Sequence, residues 1–416
     1  MERVRRALAV LGVLWAALAT AADGTWVAAW NEQVLEVAEA EDGLLTLKGV
    51  RAAAMTHQAM ARTLRCADTC ADSLSAYAAA VAAHAVALHE YPAARSRWDC
   101  LLARARPADA RAAALEPVGA RARQVAQGVL RSRQDDGWSA PAEYRWRDPA
   151  PGVYAAFPEH SRTPADFVFG AGWARARPFA LSSPQEFRVP PPPAIDSLAY
   201  AEAYEEVRRL GAQDARHRTA DQTHLALWWK DFVERSHNRL ARELIAQEEM
   251  DLREASQLLA WLNASIFDAY VASFDSKFHH NHWRPYTAIR WPDDGNPATV
   301  SDATWTNTHD HTYAFPSYPS AHGTACGAAM TVLAHVFGDD RRVVMRTPFV
   351  DGQGPGSSKR QMIPPTREFR GFLAAADQCG RSRVFLGIHF TYDATQGVAL
   401  GHRVGRAVLE RLVLGP

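Results

Sequence analysis

Lysine is nearly missing from this 416-residue chain: of 46 basic residues only Lys48, Lys230, Lys277 and Lys359 are lysines, and arginine supplies the rest. Where the chain needs a surface cation it uses arginine, so a lysine at a core-facing position demands a reason. An excess of one charge sign is absent as well, with 46 basic against 46 acidic residues, which excludes the basic field that a nucleic-acid partner requires. Cysteine is scarce. Cys66, Cys70, Cys100, Cys326 and Cys379 show no metal-ligand spacing, and their odd number leaves at least one unpaired. Cys66 and Cys70 could pair with each other or with Cys100, while Cys326 and Cys379 read as buried free thiols. No internal repeat, phosphate-cradling glycine loop or dinucleotide fingerprint appears; the stretch Gly354 to Lys359 contains Pro355 and reads as a loop.

Long apolar runs are confined to one place. Arg3, Arg5 and Arg6 precede an apolar stretch from Ala7 to Leu18 and then Ala19-Thr20-Ala21, the layout of a secretory signal peptide. Residues 1–21 are therefore expected to be cleaved and the mature chain to be secreted or periplasmic. After them no uncharged run reaches the ~20 residues that span a bilayer, so no integral membrane span is expected.

What is present, at 48% apolar and 22% charged residues, is enough to bury a large core. Residues 22–134 are rich in Ala, Leu, Val and Arg at helical periods and read as N-terminal bracing helices. Residues 135–196 change to Pro, Gly, Trp, Phe and Tyr, ending in Pro190 to Pro193, and read as a long ordered loop whose Trp173, Phe179 and Phe187 either shape an entrance or pack as a connector. Helical periodicity resumes in 197–416, with one helix around Thr219 to Gln247 and another from Leu252 into the Lys277 region. No series of strands is evident, so the fold class is all-α, one continuous helical body.

Three clusters carry the chemistry. In the first, an apolar stripe through Leu259, Leu262, Ile266, Tyr270 and Phe274 lands on Lys277, and Arg284 follows seven residues later, near the same helical phase but beside the helix-stopping Pro285. A buried ammonium needs an internal carboxylate, with Asp268 and Asp275 at hand, or a bound oxyanion. In the second, Ser317-Tyr318-Pro319-Ser320-Ala321-His322-Gly323 opens a helix, Ser320 occupies the N-cap, and the next amides are unpaired donors at the positive end of a helix dipole. In the third, Arg383, His389 and Asp393 recur at six and four, and Asp393 either orients the ring of His389 or caps a helix with Gln396; Gly397, Gly401 and Gly405 on that helix permit close packing. His279, His280, His282, His309 and His311 lack a carboxylate-histidine motif and read as surface or rim positions, not zinc ligands.

Two cations, then Ser and His at a helix start, then Arg, His and Asp, in this order, resemble the three motifs of the vanadium haloperoxidase and type 2 phosphatidic acid phosphatase superfamily, over about Phe274 to Gly401. The resemblance implies a helical bundle of the vanadium chloroperoxidase and acid phosphatase type. It implies vanadate as cofactor, with phosphate able to occupy the same site, bound by Lys277, Arg284, Ser320, the Ala321 amide and Arg383. His389 would be the axial vanadium ligand or phosphorylated nucleophile, His322 the acid and base, Asp393 the orienter of His389, and Phe274 and Phe315 a halide or substrate rim. Ala321 departs from the usual glycine, which keeps the amide but narrows the pocket. Phe315, Trp283-Arg284-Pro285 and Gly387-Ile388-His389-Phe390 resemble the haloperoxidase branch, acting on hydrogen peroxide and halide. An acid phosphatase hydrolysing a phosphomonoester is the alternative, and a non-catalytic oxyanion-binding protein the second.

Overall fold

The computed structural model describes residues 23–43, 46–65, 72–108, 110–141, 143–351 and 359–412. The expected signal segment, Cys66, Cys70 and the Gly354 loop lie outside these. Fourteen α-helices occupy the described residues: α1 Thr25–Asp42, α2 Leu47–Arg65, α3 Asp72–Glu90, α4 Arg95–Arg104, α5 Ala112–Ser132, α6 Pro158–Ser161, α7 Leu198–Leu210, α8 Ala220–Trp228, α9 Val233–Gln247, α10 Leu252–His280, α11 Pro285–Arg290, α12 Ala321–Phe337, α13 Phe372–Phe385 and α14 Thr391–Arg411. The architecture is predominantly helical, as the periodicity predicts. Between α12 and α13 the chain also forms two small antiparallel pairs, β1 (Val343–Arg346) with β4 (Thr366–Phe369) and β2 (Phe349–Asp351) with β3 (Lys359–Gln361). These strands are three or four residues long, too short for an alternating pattern to stand out from the surrounding sequence.

Helix α10 is the axle. Its start is fixed by a capping box: the Asp251 carboxylate accepts from the amides of Arg253 and Glu254 at 2.7 and 2.8 Å, and Glu254 reaches back to the Asp251 amide at 3.0 Å. Twenty-nine residues long, it spans about 43 Å at 1.5 Å per residue, and it packs against α2, α12 and α14. Such a helix is apolar nearly all round, as a helix buried in a large core must be. Asn281 ends it in the left-handed region (φ 52°), its amide bonding the Lys277 carbonyl at 2.8 Å.

The expected single helix from Thr219 to Gln247 is two, α8 and α9, interrupted at Trp229 to Phe232. Trp228 and Trp229 are both fully buried and lie edge-on to each other at 4.9 Å. The break also releases the Trp229 carbonyl, which accepts from Arg383 at 2.6 Å. Periodicity alone cannot see such an interruption, because the apolar spacing continues across it.

Helices α1 and α2 pack on α10, and α1 to α3 pack on one another. Asn31 of α1 donates to Asn238 of α9 at 2.8 Å, and Asn238 pairs with Asn263 of α10 through two amide bonds of 2.9 Å. Residues 135–196 wrap back onto α10. The Asp268 carboxylate accepts three backbone amides, from Phe179, Ala180 and Leu181, at 2.6, 2.8 and 3.2 Å, and Asp275 takes both nitrogens of an Arg188 fork at 2.8 Å. Both carboxylates that might have neutralised Lys277 are thus committed to the loop.

Candidate active site

Lys277 emerges from the last turn of α10, is fully buried, and donates from Nζ to the carbonyls of Pro316 and Ser317 at 3.0 and 2.7 Å. Among the described residues no carboxylate touches it. Burial and the neighbouring Arg284 guanidinium drive its pKa well below the ordinary lysine value, against the pull of Asp393. Arg284 is not on α10, as its helical phase suggests, because α10 stops four residues earlier. It is the extended residue before Pro285 (φ −86°, ψ 153°), and the turn brings it in. Its Nε donates to the Phe315 carbonyl at 2.8 Å and Nη1 to the Ile388 carbonyl at 3.0 Å, while Nη2 is buried with no partner among the described residues.

Arg383 enters from α13, held by the Trp229 carbonyl and by Ser382 Oγ at 3.0 Å. Burial lowers the pKa of both Arg284 and Arg383 to about 10, so all three side chains are cations at neutral pH only at a cost that an anion would offset. The ring of Phe315 lies against this group, 4.6 Å from the Arg284 guanidinium and 5.1 Å from Lys277 Nζ. Phe274 packs behind Phe315 at 5.2 Å and is itself backed by Trp173 at 4.6 Å. Both phenylalanines are buried, so any rim they form faces an enclosed space. Trp173 is thus packed onto this aromatic wall, Phe179 lies under the Arg133 guanidinium at 3.9 Å, and Phe187 lies 5.9 Å from that of Arg411.

The opposite wall is the start of α12. Ser320 Oγ caps it by accepting the Gly323 amide at 3.2 Å, and the Ser320 amide is tied to the Asp393 carbonyl at 2.9 Å. The amides of Ala321 and His322, in the first helical turn, have no acceptor within the helix and sit at the positive end of its dipole. Close approach of α14 makes this possible. A Cβ on Gly397 would stand 2.6 Å from the Ser320 carbonyl oxygen, so glycine is required there.

His389 follows Gly387, whose φ of +77° turns the chain out of α13. Its Nδ1 lies 2.8 Å from Asp393 Oδ2, which fixes the proton on Nδ1 and leaves Nε2 the acceptor, 3.3 Å from the donating Arg284 Nη1. Asp393 is inside α14, in its first turn. It does not precede the helix, and its carboxylate reaches back to the Phe390 amide at 3.1 Å. The orienting alternative is the one the structure bears out: the N-cap of α14 is Phe390, so Asp393 is not itself the cap with Gln396 but bonds the cap amide from the third helical position. Ser317 also donates to Asp393 Oδ2. This residue was passed over in the sequence; its only signal was its place in the Ser317 to Gly323 cluster. Asp393 Oδ1 and His322 Nε2 are buried without partners among the described residues. Burial drives the pKa of His389 and of His322 well below the ordinary histidine value, reinforced by Arg284 at His389 and by Arg383 at His322. Burial raises that of Asp393 against the Ser317 hydrogen bond and the Lys277 charge.

Two expectations need correction. Cys326 and Cys379 are not free thiols but a disulfide joining α12 to α13, while Cys100 is exposed and unbridged. Helical spacing cannot show that residues 53 apart face each other. The histidines are not all at the surface: His279 is exposed, but His282 and His309 are buried, the former 2.8 Å from the Tyr392 hydroxyl and the latter with its ring 4.1 Å from that of His311, tilted by 32°.

Three buried cations, helix-start amides and an oriented imidazole form a candidate oxyanion site within the helical fold. Residues 257–413 match the family described as the VCPO second helical-bundle domain. It is 25% identical over 270 residues to vanadium chloroperoxidase of Curvularia inaequalis, covering 52% of this chain and 44% of that protein. The match thus spans less than half of the curated relative. A bacterial vanadium-dependent iodoperoxidase shares the fold with a TM-score of 0.73 at 21% identity, over 95% of this chain and 98% of that one. A holo-form bacterial vanadium-dependent chloroperoxidase gives 0.64 at 17% identity, over 88% and 92%.

Proposed function

We propose that this protein is a vanadate-dependent haloperoxidase that oxidises halide with hydrogen peroxide. The observation that carries the proposal is the charge imbalance of the buried site: Lys277, Arg284 and Arg383 gather around His389, beside which stands one carboxylate, Asp393, and Arg284 Nη2 and His322 Nε2 have no partner among the described residues. Three buried cations against one carboxylate call for an external anion, and the donor set fits a tetrahedral or trigonal oxyanion. Lys277, Arg284, Arg383, Ser320 and the Ala321 amide would hold the vanadate oxygens, and His389 Nε2 would hold the vanadium. When bound, vanadate supplies Lewis-acid activation of peroxide toward halide.

The chain's own residues then have distinct tasks. Asp393, held by Ser317 and the Phe390 amide, keeps the proton on His389 Nδ1 and so keeps Nε2 a donor of electrons. His322, neutral because it is buried, accepts and returns protons at Nε2. The cations concentrate negative charge where it develops, already oriented before reaction. Phe315, over Lys277 and Arg284, excludes water from that field, which strengthens it.

A phosphatase reading draws on the same Nε2, an oriented nucleophile beside His322, because the donors that hold vanadate also stabilise phosphoryl transfer. One experiment separates the readings. Purified protein with orthovanadate and hydrogen peroxide is expected to oxidise bromide or iodide, with the activity lost in His389→Ala. Vanadate-inhibited release of phosphate from an aromatic phosphomonoester without halide oxidation would replace this reading with the phosphatase, and silence in both assays with an oxyanion-binding protein. We also propose export to an oxidising compartment. The support is the signal-like N-terminus and the Cys326–Cys379 disulfide; intact precursor retained in the cytosol would refute it.

A further inference from the structure

The reaction as derived uses neither Cys326 nor Cys379, yet their bridge joins the two helices that carry His322 and Arg383. Cys326 lies one turn after His322 on α12, and Cys379 one turn before Arg383 on α13, so each cysteine shares a helical face with a site residue. A ring nitrogen of His322 and both sulfurs lie within 4.8 Å of one another. Both cysteines are fully buried, and His322 Nε2 has no hydrogen-bond partner among the described residues. The imidazole is therefore fixed by packing, and the disulfide is part of what it packs on. Among the described residues Arg383 is hydrogen-bonded to the Trp229 carbonyl and the neighbouring Ser382, neither of them on α12.

We infer that the Cys326–Cys379 disulfide is a positioning element of the oxyanion site, setting the spacing between the start of α12, with its amides and His322, and Arg383 on α13. The inference rests on the oxyanion reading of the site and not on which reaction occurs there. Opening the bridge takes two electrons and two protons. Reduced dithiothreitol supplies both, becoming its own cyclic disulfide as Cys326 and Cys379 become thiols. The two sulfurs then separate to van der Waals distance and the helices move apart with them, so donors on opposite walls no longer meet one anion.

The test uses the full chain and inorganic phosphate, which dithiothreitol does not reduce. Phosphate affinity is measured by calorimetry for the oxidised chain, the reduced chain and Cys326→Ala/Cys379→Ala, with far-UV circular dichroism checking the fold. A tenfold or greater weakening is expected in both altered forms, restored when the reduced chain is reoxidised. The ring carbon resonance of His322, assigned with His322→Gln, should be single in the oxidised chain and broadened or doubled in the reduced one. A core variant far from the site, Leu64→Ala, reports the effect of lost stability alone and is expected to keep phosphate affinity. Affinity within twofold of the oxidised chain in the reduced form would overturn the inference. So would equal weakening in Leu64→Ala, or loss of helicity on reduction, since the bridge would then be a staple for the whole fold. Failure of halide oxidation by the oxidised protein bears only on the haloperoxidase proposal, because phosphate binding and the His322 resonance are read without it.

Discussion

Two buried clusters of basic side chains in this protein use the same chemistry to opposite ends. Under the N-terminal helices, Arg51 donates to Asp136 at 2.8 Å, to Glu90 at 2.9 Å and to the Arg133 carbonyl at 2.8 Å, while Arg133 donates to Asp136 at 2.8 Å and to the Pro178 carbonyl at 2.9 Å. Two cations meet two carboxylates, and the cluster is electrically closed. Around Lys277, Arg284 and Arg383 the partners are carbonyl oxygens, the Ser382 hydroxyl and the His389 ring, all uncharged acceptors, and the single carboxylate, Asp393, is spent on His389, Ser317 and the Phe390 amide. A buried cation with an internal counterion ties helices together; one without is a binding site awaiting its anion. The distinction lies in the local charge count and not in residue type or burial.

The comparison breaks most visibly at Arg51. Arg51→Met strands Glu90 and leaves Asp136 to Arg133 alone, and should cost about 3–5 kcal/mol of stability, measured by urea denaturation, with kcat of the folded protein unchanged. Arg284→Met should do the reverse, lowering kcat by about 10²–10³ while leaving ligand-free stability equal or higher, because it removes one of three mutually repelling cations. A large loss of ligand-free stability in Arg284→Met would mean that the site is electrically closed after all.

Saturating phosphate or orthovanadate sharpens the contrast. At a hundredfold excess over Kd it should add about 2.7 kcal/mol to stability, an increment that thermal denaturation should find missing in Arg383→Ala and retained in Arg51→Met.

Acid should expose the same asymmetry. His57, His237 and His282 are held near pKa 3 by burial, and His322 and His389 well below 6.5. Between those folded-state values and 6.5 the unfolded chain binds more protons, so stability is full above 6.5 and falls as pH drops below it. Each such histidine contributes about 1.4 kcal/mol per pH unit, partly offset by Asp268, raised to about 6, and Asp393, also raised, which act with the opposite sign. A bound oxyanion should shrink the loss by favouring charged His322 and His389; identical slopes with and without phosphate would count against anion binding beside them. The smallest effect belongs to the α12 cap. Ser320→Ala should cost about 1 kcal/mol in equilibrium unfolding and weaken phosphate binding modestly.

Helical content and the three clusters were legible because each is local. The α10 stripe, the Ser320 cap and the six and four spacings of Arg383, His389 and Asp393 all lie within a few turns of chain. Helix phase misplaced Arg284, since its convergence with Lys277 comes from the Asn281 turn and Pro285. The role of Ser317 stayed hidden because a hydroxyl 76 residues from Asp393 leaves no periodic trace. The α8–α9 break was equally invisible, though it frees the carbonyl that anchors Arg383.

By itself, then, the amino-acid sequence determined which residues bear charge at core-facing positions, where the helices that carry them begin, and that glycine must allow α14 to approach α12. Only the tertiary structure decided that Asp268 and Asp275 serve the loop and not Lys277, and that Cys326 reaches Cys379 beside His322. The physical reason is that neutralising a buried charge is settled by which groups meet across the core, and helical periodicity orders each helix without fixing its neighbours.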